Sequence, residues 1–348
     1  MLKKILFTSF VIFSILISIM SFKALTSKSI VAPTTQKDSS ATPKATPQST
    51  PFPFQELTIP YLQNRNYSSK IGELQENDTF ESYKSYLTNY ISDGLQINAL
   101  LTVPTTQQPE GGYPAIVFVH GYIPPSLYKT EQNYASYVDY FARRGFVVFK
   151  IDLRGHDESE GEAGGAYYSG DYVVDVLHAY IALQNFDQVN KNKIGLWGHS
   201  MAGNIVIRAM AAMPSIPKVV IWAGAVYTYT DFAEFRISDE SYRPPSDDST
   251  RRQKRDELFQ THGQFDPDSW FWQQVPATNY LTDITGEIQI HHAVNDDVVA
   301  IGYSRRLDEI LDSTTIPHEL FEYTTGGHNI TGSAFTQAMQ RSVEFYLQ

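Results

Sequence analysis

The stretch Lys193–Arg208 reads KIGLWGHSMAGNIVIR, and its hydrophobic period changes in the middle. Ile194, Leu196 and Trp197 form a short apolar run suited to a buried strand. The run breaks at Gly198-His199-Ser200-Met201-Ala202-Gly203, and a helical apolar pattern resumes at once with Ile205, Val206, Ala209 and Met210. On a sharp strand-to-helix turn a serine hydroxyl is lifted clear of the sheet, and the first amides of the helix point at whatever binds there. Strand and helix pass close together, so small flanking residues are needed. Ala202 stands where glycine is usual, and Gly203 follows it. Such a serine can also be a plain turn residue, so the rest of the chain has to decide.

Outward from this turn, strand-like and helix-like segments alternate. Upstream, residues 80–103 hold two strand-like runs around Asp93-Gly94, a hairpin dipeptide. Ala115–Val119 is an apolar run, 131–144 reads as a helix, Phe146–Ile151 as a strand and Asp171–Phe186 as an amphipathic helix. Downstream come a strand at Lys218–Trp222, a strand at Glu287–His291, a helix at 302–312, a strand at Glu319–Tyr323 and a closing helix at 333–347. This alternation predicts a mostly parallel, twisted sheet covered by helices on both faces, with the two strands around Asp93 as an antiparallel edge. Residues 226–276 lose the alternation and hold a polar section and an aromatic cluster that includes Trp270, Phe271 and Trp272.

The 348 residues have room for one large α/β domain plus appendages. Net charge is −11, and residues 1–30 contribute four lysines and no acid, so the remainder is more acidic still. An acidic body argues against a nucleic-acid partner. The absence of cysteine excludes disulfides, thiol catalysis and a lipid-modified cysteine. Lys3 and Lys4 precede an apolar run from Ile5 to Phe22, at the lower limit for crossing a bilayer. Residues 1–30 are therefore expected to be a membrane anchor or, with Ser27-Lys28-Ser29 as a poor cleavage site, a signal segment. Either places the body outside the cytoplasm. Residues 31–55, rich in Pro, Thr, Ser and Ala, read as a solvated, disordered linker, and 56–348 as the folded domain.

Ligands of such a sheet bind beyond the carboxyl ends of its strands. Those ends carry His120-Gly121-Tyr122, Asp152, Ser200, Asn295-Asp296-Asp297 and Gly326-Gly327-His328. An acid after one late strand and a histidine after the next complete the order Ser, Asp, His. With Asp152-Leu153-Arg154-Gly155-His156, Val298-Val299 and Asn329 in place as well, the chain resembles the α/β-hydrolase family over about residues 80–348. The resemblance implies a serine hydrolase of the α/β-hydrolase fold with a small cap insertion at about 226–276.

The chemistry of the residues fits that implication. A serine hydroxyl becomes a nucleophile when an imidazole takes its proton. His328, on a glycine-flanked loop, is the candidate base; His156, His199, His262, His291 and His292 are less well placed. Asp296 and Asp297 both qualify chemically as the acid, and the resemblance selects Asp296. The backbone N–H of Met201 is a candidate oxyanion donor, and the resemblance implies a second from Tyr122. Asp152 to His156 reads as a supporting loop, Arg251 to Arg255 as a solvated face, and Trp270 to Trp272 as either pocket wall or core. No metal-ligand spacing, phosphate loop or dinucleotide fingerprint stands out, so no cofactor is expected. The chain also looks like the catalytic domain of prolyl-oligopeptidase-type peptidases, whose propeller, at about 40–50 residues per blade, it lacks room for. A carboxylic-ester hydrolase is expected, with a short-peptide peptidase and a non-catalytic binding module as the alternatives.

Overall fold

The computed structural model describes residues 50–238 and 249–348, of which Pro51–Gln348 belong to one compact unit. The anchor or signal segment expected at 1–30, and the linker up to residue 49, lie outside the described residues. The far end of that linker needs correcting. The Phe52 ring lies 4.9 Å from Trp270, edge to face, and His262 Nε2 is 2.8 Å from the Pro53 carbonyl oxygen. Two phenylalanines in four residues bring apolar area worth burying, which the Pro/Thr-rich composition upstream does not. Among the described residues no helix is long and apolar enough to cross a membrane.

After a short helix α1 (Ile59–Gln63), three antiparallel strands follow: β1 (Gln75–Thr79), β2 (Tyr83–Ser92) and β3 (Leu95–Pro104). Asp93 and Gly94 both take positive φ, 49° and 83°, the geometry such a two-residue hairpin turn requires. The alternating part comprises β4 (Tyr113–Val119), α2 (Ala135–Ala142), β5 (Val147–Ile151), α3 (Asp171–Gln184), β6 (Val189–His199), α4 (Met201–Ala212) and β7 (Lys218–Trp222). A cap with α5 (Asp231–Glu234) and α6 (Ser249–His262) precedes β8 (Glu287–Ala293), α7 (Gly302–Asp312), β9 (His318–Tyr323) and α8 (Ser333–Leu347).

The strands form one sheet in the order β1-β2-β3-β5-β4-β6-β7-β8-β9, antiparallel from β1 to β5 and parallel from β5 to β9. The antiparallel edge has a strand more than the sequence suggests. All five residues of β1 are exposed, so no buried alternation marks it, and main-chain pairing with β2 makes the strand. The core explains the continuous apolar runs of the central strands. In β4, Ala115, Val117 and Val119 face the layer of α3 and α4, while Ile116 and Phe118 face the layer of α2 and α8. Both faces are covered, so every residue of the run is apolar.

Candidate active site

The turn after β6 holds Ser200 at φ 55°, ψ −119°, a conformation L-residues rarely adopt. Such a residue stores about 1–3 kcal/mol, which the surroundings must hold in place. Two backbone hydrogen bonds do so: Ser200 N–H donates to the Trp222 carbonyl at 2.8 Å, and Gly203 N–H to the Ser200 carbonyl at 2.9 Å. Close approach explains the glycines. A Cβ at Gly198 would lie 2.7 Å from the Ala202 carbonyl oxygen, and one at Gly121 would lie 3.2 Å from Ser200 Cβ. Ala202 itself is fully buried and its methyl is accommodated.

Ser200, Met201, Tyr122 and His328 line one cavity of about 1190 Å³. Met201 opens α4, so its N–H has no intrahelical acceptor and belongs to the positive end of the helix dipole. The Gly121 N–H is taken by the Tyr134 hydroxyl at 2.9 Å. His328 arrives on a loop in which Gly326 and Gly327 have φ of 134° and 61°, and Gly327 N–H donates to Asn295 Oδ1 at 3.0 Å. His328 Nδ1 lies 2.8 Å from Asp296 Oδ2, which leaves Nε2 as the ring nitrogen available to the cavity.

Asp296 is fully buried at its carboxylate. Burial pushes its carboxyl up, but hydrogen bonds from His292 and His328 outweigh burial and hold it well below the ordinary carboxylate range. Its Oδ1 accepts from the amides of Val298 and Val299, both at 2.9 Å. Asp297, the alternative acid, is exposed.

The structure disperses the other histidines. His262 stacks on Phe271 in the cap, His120 is buried against Tyr128, and His291 is buried between Tyr323 and Gln289, where burial pushes it down to about 3. His199 does not approach the cavity merely as the serine's neighbour. Its Nδ1 lies 2.6 Å from the Tyr134 hydroxyl and its Nε2 lies 3.1 Å from the His328 carbonyl oxygen. Asp152 accepts from Thr130 Oγ1 at 2.7 Å, and Arg154 pairs with the buried Asp175 of α3 at 2.7 Å, so this loop supports the structure.

Sequence reasoning missed two contributions. Of the two readings of the cap aromatics, pocket wall does not hold: Phe271 and Trp272 are buried in a satellite cluster with Tyr229 and Leu258, and Trp270 is exposed beside Phe52. Instead the cap lends Ile237 and Lys254 to the cavity, the lysine coming from a run that reads as a solvated face. His292 was also missed as a partner of Asp296, because nothing local in a strand shows which face of it meets the loop beyond.

A strained serine at the carboxyl end of a doubly wound sheet defines the class, a serine hydrolase of the α/β-hydrolase fold. Residues 113–333 match the family model described as serine aminopeptidase, S33, and the chain belongs to that family. It is 25% identical over 244 residues to a Bacillus subtilis (strain 168) protein named "Uncharacterized peptidase YtmA", covering 70% of this chain and 85% of that one. Among solved structures it is similar to acetyl xylan esterase 1 from a Thermoanaerobacterium species, with TM-score 0.60 and 20% identity over 84% of this chain and 93% of the other. Porphyromonas gingivalis dipeptidyl peptidase 4 superposes with TM-score 0.56 and 19% identity, over 77% of this chain and 36% of that larger one. At these identities the structures speak for the fold alone.

Proposed function

We propose that the protein hydrolyses carboxylic esters of small or medium-sized substrates through an acyl-enzyme on Ser200. The observation that carries this reading is the 2.8 Å contact of His328 Nδ1 with Asp296 Oδ2, with His328 and the strained Ser200 lining the same cavity. His328 Nε2 takes the Ser200 proton as Oγ adds to the ester carbonyl, and Asp296 stabilises the imidazolium. The oxyanion is met by the Met201 and Tyr122 amides, each donor being worth about 10²–10³ in rate. His328 returns the proton to the leaving alkoxide. Water, deprotonated by the same nitrogen, then releases the acid and restores Ser200.

Support for an ester over an amino-terminal peptide comes from the cavity. A site that binds a free ammonium group needs an acceptor of negative charge. Among the described residues lining the cavity there is no Asp or Glu, and Lys254 is present. A peptidase remains the second reading, favoured by the description of the family and of the Bacillus subtilis relative. The run Ile5–Phe22 behind Lys3 and Lys4 supports a location outside the cytoplasm, attached or secreted, which protease accessibility in intact cells tests.

The test is a panel of acyl esters, aminoacyl anilides and prolyl anilides on the full chain, with Ser200→Ala as control. Ester turnover that disappears in the variant supports the proposal. Anilide turnover that disappears moves the protein to the peptidases. A folded wild type that turns over nothing and takes no fluorophosphonate label sinks the catalytic reading in favour of a binding module.

A further inference from the structure

Asp296 is held by two imidazoles, and the reaction proposed above uses one of them. The second is His292, near the end of β8 and four residues before Asp296. Its ring is fully buried, with Nε2 3.1 Å from Asp296 Oδ2 and 3.0 Å from the Val299 carbonyl oxygen, and Nδ1 2.7 Å from Ser304 Oγ on α7. Both neighbours of Nε2 are acceptors, so Nε2 carries the hydrogen and Nδ1 receives the Ser304 hydroxyl.

We propose that His292 is a positioning residue for the hydrolysis, fixing the Asp296 carboxylate against His328 and sharing the charge on Oδ2. The inference rests on the catalytic reading of Ser200, Asp296 and His328. The geometry of the carboxylate supplies the argument. Oδ1 accepts from the Val298 and Val299 amides, and Oδ2 faces His328 at 2.8 Å and His292 at 3.1 Å. Four donors occupy the four lone-pair directions of a carboxylate, so it cannot rotate without breaking one of them. Val299 closes the arrangement, donating its amide to Oδ1 while its carbonyl shares the single Nε2 hydrogen of His292 with Oδ2 in a three-centre bond. A merely space-filling residue at a fully buried position is better apolar, since each polar ring atom must then find a partner.

The donor on Oδ2 also sets how much charge His328 meets. Without it the carboxylate keeps more negative charge for His328, whose imidazolium is then favoured. Around His292 the titratable groups are Asp296, His328 across it, His199 beyond His328, Glu322 opposite on β9 (itself paired with Arg305 of α7 at 2.7 Å), and Tyr227 beside Ser304. The Glu322–Arg305 pair is partly exposed and closed on itself, which leaves Asp296 as the acceptor that His292 serves.

The experiment compares wild type, His292→Leu and His292→Gln on the best ester of the panel. In the leucine variant kcat falls about 10–100-fold with KM within about twofold, a loss of the size typical when a residue supporting a reacting group's ligand is removed. The acid limb of its kcat/KM profile, which reports His328, moves to higher pH. Glutamine, which can present an N–H near the place of Nε2, restores most of both. A leucine variant with wild-type kcat and an unmoved limb overturns the proposal, as does a lowered kcat with no shift of the limb. Should the leucine variant not fold, ¹⁵N spectra of ring-labelled wild type decide: the Nε2–H tautomer at His292, with its resonance displaced in Asp296→Asn, supports the assignment, and the Nδ1–H tautomer overturns it. Absence of Ser200-dependent turnover in wild type is a failure of the catalytic reading and not of the tautomer.

Discussion

The rings of His199 and His328 lie 4.6 Å apart, and His199 Nε2 is 3.1 Å from the carbonyl oxygen of His328. His199 thus ties the residue beside the serine to the loop that carries the base. Burial, then the neighbouring His328, push its pKa down to about 3, so it stays neutral across the working range. Its Nε2 hydrogen goes to the carbonyl and Nδ1 accepts from Tyr134, whose oxygen in turn receives the Gly121 amide.

Tyr134→Phe cuts this chain at two places. It leaves the Gly121 amide and His199 Nδ1 without their partner, which costs about 1–3 kcal/mol of stability. Urea denaturation measures the loss. Ester turnover should fall severalfold, because the amide beside Tyr122 is no longer pinned.

Ser200→Gly and Ser200→Ala should both abolish turnover and differ in stability. Glycine takes the positive φ of Ser200 without strain, so it should be about 1 kcal/mol more stable than alanine at this position. Equal urea midpoints would mean that the turn stores no strain.

Asp296→Asn should lower kcat by about 10⁴ with little change in KM, since the amide no longer holds the correct tautomer of His328. It also changes the acid end of the stability curve. Asp296's folded pKa lies below its ordinary value of 3.8, so its contribution is complete above that value and is lost as pH falls through the folded one. Thermal melts below pH 4 should therefore fall more steeply for wild type than for the variant.

Asp175→Asn breaks a buried pair. The Asp175 side chain is fully buried and Arg154 nearly so, with Nη2 to Oδ1 at 2.7 Å. Arg154 then keeps only the 3.4 Å contact with Asp171, so the loss is at most about 3–5 kcal/mol. A paired Arg154→Met, Asp175→Leu replacement recovers it only in part, because the Ser92 hydroxyl and the amide of residue 154 lose their Asp175 acceptor. Denaturation midpoints of the single and double variants check this, and kcat of the folded fraction should be unchanged.

Much of the fold is legible because its signals are local. The hairpin at Asp93-Gly94 and the helices at 302–312 and 333–347 follow from turn chemistry and periodicity within a few residues. Four elements escaped: α1 and α5, at five and four residues, are too short to show a period, and the other two hide for reasons of burial. β1 has no buried face, and α6 is a polar helix with one fully buried leucine, Leu258. Phe52 and Phe54 escaped because the rest of their segment reads as linker, and only the cap surface they cover reveals their use.

By itself the sequence determined the alternating sheet, the sharp turn at Ser200 and the order Ser, Asp, His. These depend on residue type and short-range spacing, which a chain displays before it folds. Tertiary structure brought Asp296, the acid that the family resemblance selects, against His328, and it alone put His292 onto the same carboxylate and joined Tyr134 to His199. It also put Lys254, and not the cap tryptophans, in the cavity wall. Which side chain meets which across a fold depends on the rotation of each strand and the reach of each loop, and no spacing along the chain encodes it.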